Sequence, residues 1–529
     1  MKGPAVITQR ILRSLLGVSL LIASGCASSP AGRPQPAVSA AGAAAPPGGP
    51  AAPVASPRQH WLEMFARGYF PGRSGQIFVV PREGDIITYH DPLYAFMHGS
   101  PWSYDVRIPI MFSGAPFVKA GAFTDAATQQ DVAPTLGALL GVAPAATMTG
   151  HVLTPAIDPA AGRPKVIVLF VLDAMRADYF DRYADVMPTL SKLRREGAWF
   201  QNAQINYLPT VTSVGHATVG TGTDPRIHGQ ASNTIFNRVT GKSQQAYDNL
   251  DPRELMALTL ADTWNLATDG QAVIIGQGGA IRATAGLLGR GACQLNGRKM
   301  IAASYDARGD GGWETNDTCY RMPDYIKAIT AKSFWDAAGG TWMGHDISNA
   351  AKFRASSLFQ RFEGEALMSV VEHEPLGADA ITDLLMVNMK GPDYNAHAYG
   401  PDSPELKETL AELDRQITRV LDAIDKKAGP RQRVVAVTAD HGMPPEPAAG
   451  HRIYFEEIVD AIHAKFDPQA KAIVQYYGDP ANSQIYMDTA RMTTLGVSLR
   501  DVAAFLATQR YYAAVYTEDD VQAAGRTLK

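Results

Sequence analysis

The sequence predicts a doubly wound α/β fold, and two patterns carry that prediction. Continuous apolar runs recur at VIVLFVLDAM (166–175), AVIIG (272–276), LLMVNM (384–389) and VVAVTAD (434–440). None alternates with period two, so each reads as a strand covered on both faces, as in a parallel sheet. Helical patterns lie between them, among them PELKETLAELDRQITRVLDAIDKK (404–427). Strands alternating with helices wind into such a sheet, and ligand groups then gather at the carboxyl ends of the strands.

Ahead of this block, QIFVV (76–80) and VRIPIMF (106–112) read as strands and VAPTLGALLG (132–141) as a helix. A Pro/Gly/Ala joint, PAIDPAAGRP (155–164), separates residues 57–154 from the main part, 165–529. Residues 27–56 are mostly Ala, Pro, Gly and Ser, too poor in bulky apolar groups to order themselves, and read as a tether. No internal repeat is evident.

Residues 1–26 read as an export signal. Lys2, Arg10 and Arg13 precede the short apolar run LLGVSLLIA (15–23), which cannot span a bilayer, and ASGC ends at Cys26. Small residues before a Cys resemble a bacterial lipoprotein cleavage box, with Ala23 where such boxes usually carry Leu. That implies a lipid on Cys26 and a membrane-anchored periplasmic protein. Ordinary cleavage after Gly25 fits the same residues and also exports the chain. Cys293 and Cys319 read as one structural disulfide in an oxidising compartment. With no nearby His pair they make a poor zinc site. A net charge of −4 provides no basic surface for a polynucleotide backbone.

The chemistry sits at the strand ends. Asp173 ends the first run, Asp393 and His397 follow the third in KGPDYNAHAYGP, and Asp440 and His441 end the fourth in TADHGM. Any one Asp there is explained as a helix cap. Three strands ending in Asp, two with His nearby, point to metal, because a charge buried after an apolar strand is costly unless paired or ligated. Oxygen and nitrogen ligands without Cys suit zinc and also allow manganese. Five ligands exceed one open tetrahedral site and fall short of two closed ones, so two metals sharing a phosphoryl substrate fit best. In NYLPTVTSVGHATVGTGTDPRIHG (206–229), Thr210 or Thr212 stands at a loop-to-helix start. There a hydroxyl is either an N-cap or a metal-activated nucleophile facing an anion held by helix amides. Asn233, in HGQASNTIF, is either a turn residue or a donor to a substrate oxygen.

VLDAMRADYFDRY and LRREGAWFQNAQINYLPTVTSVGHATVGTGTDPRIHGQASN resemble the alkaline phosphatase superfamily. The bacterial phosphate-irrepressible alkaline phosphatases are the nearer branch and the nucleotide pyrophosphatase/phosphodiesterases the more distant one. The resemblance covers most of the chain after the tether. It implies an alkaline-phosphatase-like fold, two Zn2+ ions, a small phosphate-ester substrate and Thr212 as nucleophile. Asp173, Thr212, Asp440 and His441 would hold one zinc. Asp393 and His397 would hold the other, with a third ligand from a His-Gly-Ser motif that the family carries near its C-terminus. Here that motif is HGSPWSYDVRIPIMFSG (98–114), followed by DVAPTLGALLG (131–141), near the N-terminus. The chain end, NSQIYMDTARM…YYAAVYTEDDV, resembles what normally precedes it. The resemblance therefore implies a circular permutation, with His98 as the displaced ligand. Joined termini are compatible with a compact domain, whose chain ends often lie close together. His451, in AGHRIYF, is the rival that proximity to DHGM would choose. His216 and His228 match no family ligand and read as structural.

The sequence departs from the family at one place. The related monoesterases carry a Lys-x-Arg pair where VIIGQGGAIRATAG (273–286) puts Gly276 and Gly278, with Arg282 displaced from it. Losing fixed cations penalises a dianionic monoester more than a diester, so a phosphodiesterase is the expected specificity and an alkaline phosphatase the alternative. The Cys/Ser-x-Pro-x-Arg setting of sulfatases is absent from TVTSVGH. A manganese mutase would act in the cytoplasm, against the export signal. A degenerate ligand-binding lipoprotein would have no need of an intact set of one Thr, three Asp and three His.

Overall fold

Seven consecutive apolar residues, Val166–Leu172, are all buried and form the middle strand of the main sheet. It runs parallel to Asp383–Met389 on one side and to Arg433–Thr438 on the other. The computed structural model describes residues 56–290, 293, 299–478 and 483–528. The expected signal segment, Cys26 and the expected tether up to residue 55 lie outside them.

Beyond Asp383–Met389 the sheet continues in parallel through Ile274–Gly278 and Met300–Asp306. On the other side, Ile110–Ser113 adds antiparallel to Arg433–Thr438, followed by Ala198–Ala203 and Gly121–Ala127. The strand expected over 106–112 starts at Ile110 because Ser103–Val106 closes a helical turn and Pro109 has no N–H for the ladder. The strand expected over 272–276 runs on to Gly278, its polar Gln277 paired between Val387 and Ala303.

The helix expected over 404–427 spans Pro404–Ala428. Ser403 accepts from the Leu406 N–H, Pro404 opens the helix and Gly429 closes it. Its buried stripe of Leu406, Leu410, Leu413, Ile417, Val420 and Ile424 recurs every three or four residues. The expected helix at 132–141 spans Val132–Leu140, ended by Gly141 in the left-handed region.

A smaller antiparallel sheet has the order Val474–Tyr477, Gln484–Met487, Ile77–Pro81, Tyr512–Thr517. A strand from the front of the chain thus lies between two from its end. From Ser56 onward the described residues belong to one compact unit. Among them no helix is long and apolar enough to cross a membrane.

Candidate active site

The three carboxylates stand at the carboxyl ends of three neighbouring parallel strands. Asp173 directly follows Val166–Leu172, and its N–H donates to the Met389 carbonyl at 3.0 Å, one ladder step past the strand. Asp393 lies in the first turn of the helix Gly391–Tyr399, and His397 follows one turn later. Asp440 and His441 follow Arg433–Thr438 and are fully buried. Gln129, from the front of the chain, fixes that strand end by donating to the Ala439 and Asp440 carbonyls at 2.6 and 2.9 Å.

Thr212 is the first residue of the helix Thr212–Thr221. The helix reaches the strand end because residue 215 is Gly: a Cβ there would lie 2.6 Å from the Asp440 carbonyl oxygen. Thr212 lines a cavity of about 430 Å³, together with His98, Asn233, Asp393 and His397. Asn233 Oδ1 accepts the Ser213 N–H at 2.9 Å, which places its amide beside the helix start. Thr210 has a different part: its hydroxyl donates to the Ser100 carbonyl and its own carbonyl accepts from His98.

His98 arrives from the opposite end of the sequence. Its ring stacks on that of His441 at 3.5 Å and lies 5.1 Å from that of His397. Asp105 holds its loop, accepting from Gly99 N, Ser100 N and Ser100 Oγ at 3.1, 2.8 and 2.6 Å. His451 is elsewhere, half-exposed and paired with Asp85.

The histidine tautomers show what this arrangement can hold. His98, His397 and His441 each direct Nδ1 at a backbone carbonyl, those of Thr210, Phe96 and Gly442, at 2.8, 2.6 and 2.9 Å. A carbonyl only accepts, so Nδ1 carries a proton in all three rings and Nε2 is the atom each can offer a cation. Those three nitrogens lie 3.6, 3.3 and 3.9 Å from Asp393 Oδ1, a buried oxygen without a hydrogen bond. His441 Nε2 also lies 3.2 Å from Asp440 Oδ2, 3.4 Å from Asp173 Oδ1 and 3.5 Å from Thr212 Oγ1. Asp440 Oδ2 likewise lacks a hydrogen bond. Lone pairs facing lone pairs in a buried space are satisfied by a cation, and backbone-anchored imidazoles are the usual support of metal ligands. Two of the acidic and imidazole groupings close enough to hold an ion are His98/Asp393/His397 and Asp173/Asp393/His441.

A third grouping adds His216 to Asp173 and Asp440. Both His216 nitrogens are already engaged: Nδ1 donates to the Thr212 carbonyl at 2.9 Å and Nε2 accepts from Asn388 Nδ2 at 3.0 Å. His228 bonds Thr218 and the Gln230 N–H.

The charges respond to this crowding. Burial, then the Asp440 carboxylate, push Asp173 up to about 6. Burial works against a charged His441, but Asp440, Asp173 and Asp393 outweigh it and raise the imidazole to about 9. Burial and the neighbouring rings of His441 and His397 hold His98 well below its ordinary value. Burial would raise Asp393, yet His397 and Lys390 hold it well below the usual carboxylate range.

A profile of the family "Type I phosphodiesterase / nucleotide pyrophosphatase" matches residues 167–526, more than half of the chain. The chain belongs to that family. It is a phosphoric ester hydrolase of the alkaline phosphatase superfamily. Alkaline phosphatase PafA of Elizabethkingia meningoseptica is 26% identical over 430 residues, 70% of this chain and 77% of that one. Alkaline phosphatase PhoV of Synechococcus elongatus is 24% identical, over 54% of this chain and 61% of that one. Human ectonucleotide pyrophosphatase/phosphodiesterase family member 1 is 22% identical, over 54% and 24%. A crystal structure of PafA shares the fold with a TM-score of 0.57 at 22% identity, over 68% of this chain and 80% of that one.

In this phosphoric ester hydrolase, sequence reasoning missed Lys390. Its ammonium is fully buried, 2.8 Å from Asp173 Oδ1, 2.5 Å from Asp393 Oδ2 and 3.0 Å from Thr212 Oγ1. Burial disfavours its charge, but the two carboxylates outweigh that and raise its pKa. A Lys closing an apolar strand, three residues before an Asp, was the available signal. Arg308 and Arg354 on the cavity wall carried none. Cys293 and Cys319 are joined in a disulfide.

Proposed function

We propose that this chain hydrolyses small phosphoric monoesters through a phosphothreonine at Thr212, supported by two divalent cations, zinc by ligand type. The observation that carries the reading is the convergence of three imidazole Nε2 atoms and two orphaned carboxylate oxygens beside one helix-terminal hydroxyl. Asp173, Asp440, His441 and Thr212 would hold one cation, and Asp393, His397 and His98 the other. Bound there, such ions supply Lewis acidity that lowers a hydroxyl pKa and neutralises phosphoryl and leaving-group charge. Thr212 Oγ1, its proton released to water, attacks phosphorus in line, and the P–O bond to the leaving group breaks as the new one forms, the departing oxygen taking a proton from water. Lys390 Nζ donates to the attacking oxygen and steadies its charge. With the Ser213 N–H taken up by Asn233 Oδ1, the Asn233 Nδ2 amide is left to donate to an equatorial oxygen. Water then hydrolyses the phosphothreonine.

Monoesters are favoured over the diesters expected from Gly276 and Gly278 for a geometric reason. A Cβ at Gly276 would run into Leu288, and one at Gly278 into Asn388 and Thr284, so neither position is a vacated place on the cavity wall. Arg282, Arg308 and Arg354 line the cavity instead, with Lys390 against Thr212. The relatives named alkaline phosphatases support the same reading.

The test is kcat/KM of the zinc-loaded protein for an aryl phosphate and the matching aryl methyl phosphate, with Thr212→Ala as control. A monoester preference abolished by Thr212→Ala supports the reading. A diester preference returns the specificity to phosphodiesterase. Turnover untouched by Thr212→Ala refutes the nucleophile.

We further propose that the reaction is periplasmic and that Cys26 carries the lipid anchor. Mass spectrometry of the mature N-terminus reads this directly, and an unmodified terminus elsewhere rejects it.

A further inference from the structure

Three arginines share the cavity wall, and they differ in what engages them. Arg308 is tied fork to fork to Asp306, Nε to Oδ1 at 2.9 Å and Nη2 to Oδ2 at 2.7 Å. Arg354 is only 6% exposed, and among the described residues its direct partners are phenols, with the Asp393 carboxylate acting on it from beyond ion-pair distance. Its Nη2 donates to the Tyr94 hydroxyl at 2.9 Å, and its guanidinium lies 5.2 and 4.8 Å from the Tyr94 and Tyr394 rings. Arg282, second residue of the helix Ile281–Leu288, has a buried Nε without a hydrogen-bond partner.

Tyr394 links the two. Arg354 covers its ring, and Arg282 is the next charge acting on its hydroxyl, which donates to the Gly279 carbonyl at 3.1 Å. Tyr94, in turn, sets its ring edge-on to His397 at 5.5 Å. The pair therefore borders the His98/Asp393/His397 cluster. A buried guanidinium without an anion is costly, and its planar fork matches phosphate oxygens two at a time. Aromatic faces hold such a cation in place without neutralising it.

We propose that Arg282 and Arg354 form the anion-recognition site of this cavity, gripping the second negative charge that a phosphate monoester carries and a diester lacks. They determine specificity, and the inference rests on the reading of the Thr212 cavity as the ester site. A purely structural Arg354, stapling Tyr94 to Tyr394, would affect all substrates alike.

The experiment compares zinc-loaded wild type, Arg354→Met, Arg354→Lys and Arg282→Met on the aryl monoester and methyl diester, with inorganic phosphate as competitive inhibitor. Each Met variant is expected to lose about a hundredfold in monoester kcat/KM while the diester changes by less than about threefold. Phosphate inhibition weakens in parallel, by about tenfold or more. Arg354→Lys recovers only part of the loss, because an ammonium keeps the charge without the fork. Parallel losses on both esters, or none, overturn the proposal. If Arg354→Met does not fold, as its melting curve would show, Arg282→Met carries the same comparison alone. Thr212→Ala keeps the two readings apart. If it is as active as wild type, the ester-site reading fails. If it is inactive while neither arginine alters the ester ratio, the anion site alone fails.

Discussion

Lys390 donates a 3.0 Å hydrogen bond to the hydroxyl of Thr212 while its ammonium also meets Asp173 and Asp393. One buried cation thus touches the proposed nucleophile and one carboxylate from each proposed metal site. It neutralises part of the negative charge that the strand ends bring together, so the ligands are held in place before any ion arrives. It is also a fixed donor to the attacking oxygen, and such donors act most strongly in a water-poor site.

Lys390→Met is therefore expected to lower kcat/KM by about a hundredfold. It should also destabilise the chelated protein by about 3 kcal/mol or more, because two buried carboxylates lose their partner. Metal loading should restore most of the melting temperature and little of the rate. Activity within about threefold of wild type, with an unchanged Tm in chelator, would remove Lys390 from the mechanism.

His98 and His451 make opposite predictions. His98 presents a bare Nε2 to Asp393, whereas His451 is half-exposed and pairs with Asp85. After dialysis, His98→Ala should retain one metal ion per chain fewer than wild type, and His451→Ala the full complement, by elemental analysis. Equal metal content in the two variants would disprove the assignment.

The legible part of this molecule was the part encoded locally. The strands Val166–Leu172, Asp383–Met389 and Arg433–Thr438 are built around apolar runs, and the carboxylates that matter are the first charged groups after them or within one helical turn. His98 was legible only through the motif around it, since no spacing joins it to Asp393. Lys390 carried only a weak signal, because a Lys after an apolar run ordinarily reads as the point where the chain meets water. Only the neighbouring strand, bringing Asp173 within 2.8 Å, makes it an interior cation. Arg354 falls between the helices Ala350–Phe353 and Ser357–His373 and has no periodic context. Of the small sheet only QIFVV was legible, as the strand Ile77–Pro81, because its partners pair across the whole chain, Ile77 with Ile485 and Thr517.

Asp105 tests how far support around the ligands matters. Its carboxylate ties together the backbone and hydroxyl of the two residues after His98. Asp105→Ala should leave His98 in the sequence but loosen its aim, lowering affinity for one metal ion by about 10- to 100-fold. Titration against a competing chelator measures this. An affinity equal to wild type would show that the stacking of His98 on His441 positions the ring unaided.

Gly215 gives the sharpest geometric test, because its lack of a side chain sets the distance between the Thr212 helix and the Asp440 strand end. A Cβ there would meet the Asp440 carbonyl oxygen at 2.6 Å and its Cα at 2.9 Å. Both are backbone atoms, which cannot swing aside, so in Gly215→Ala the helix itself must move. Displacement carries Thr212 away from His441 and Lys390, now 3.5 and 3.0 Å from its hydroxyl. A misplacement of about 1 Å costs about a hundredfold in rate. The expected result is a kcat lowered by about that factor in a protein that still folds and still binds metal at His98, Asp393 and His397, which stand on other elements. A wild-type kcat in Gly215→Ala would mean that the close approach of helix to strand end is not what places Thr212 for reaction.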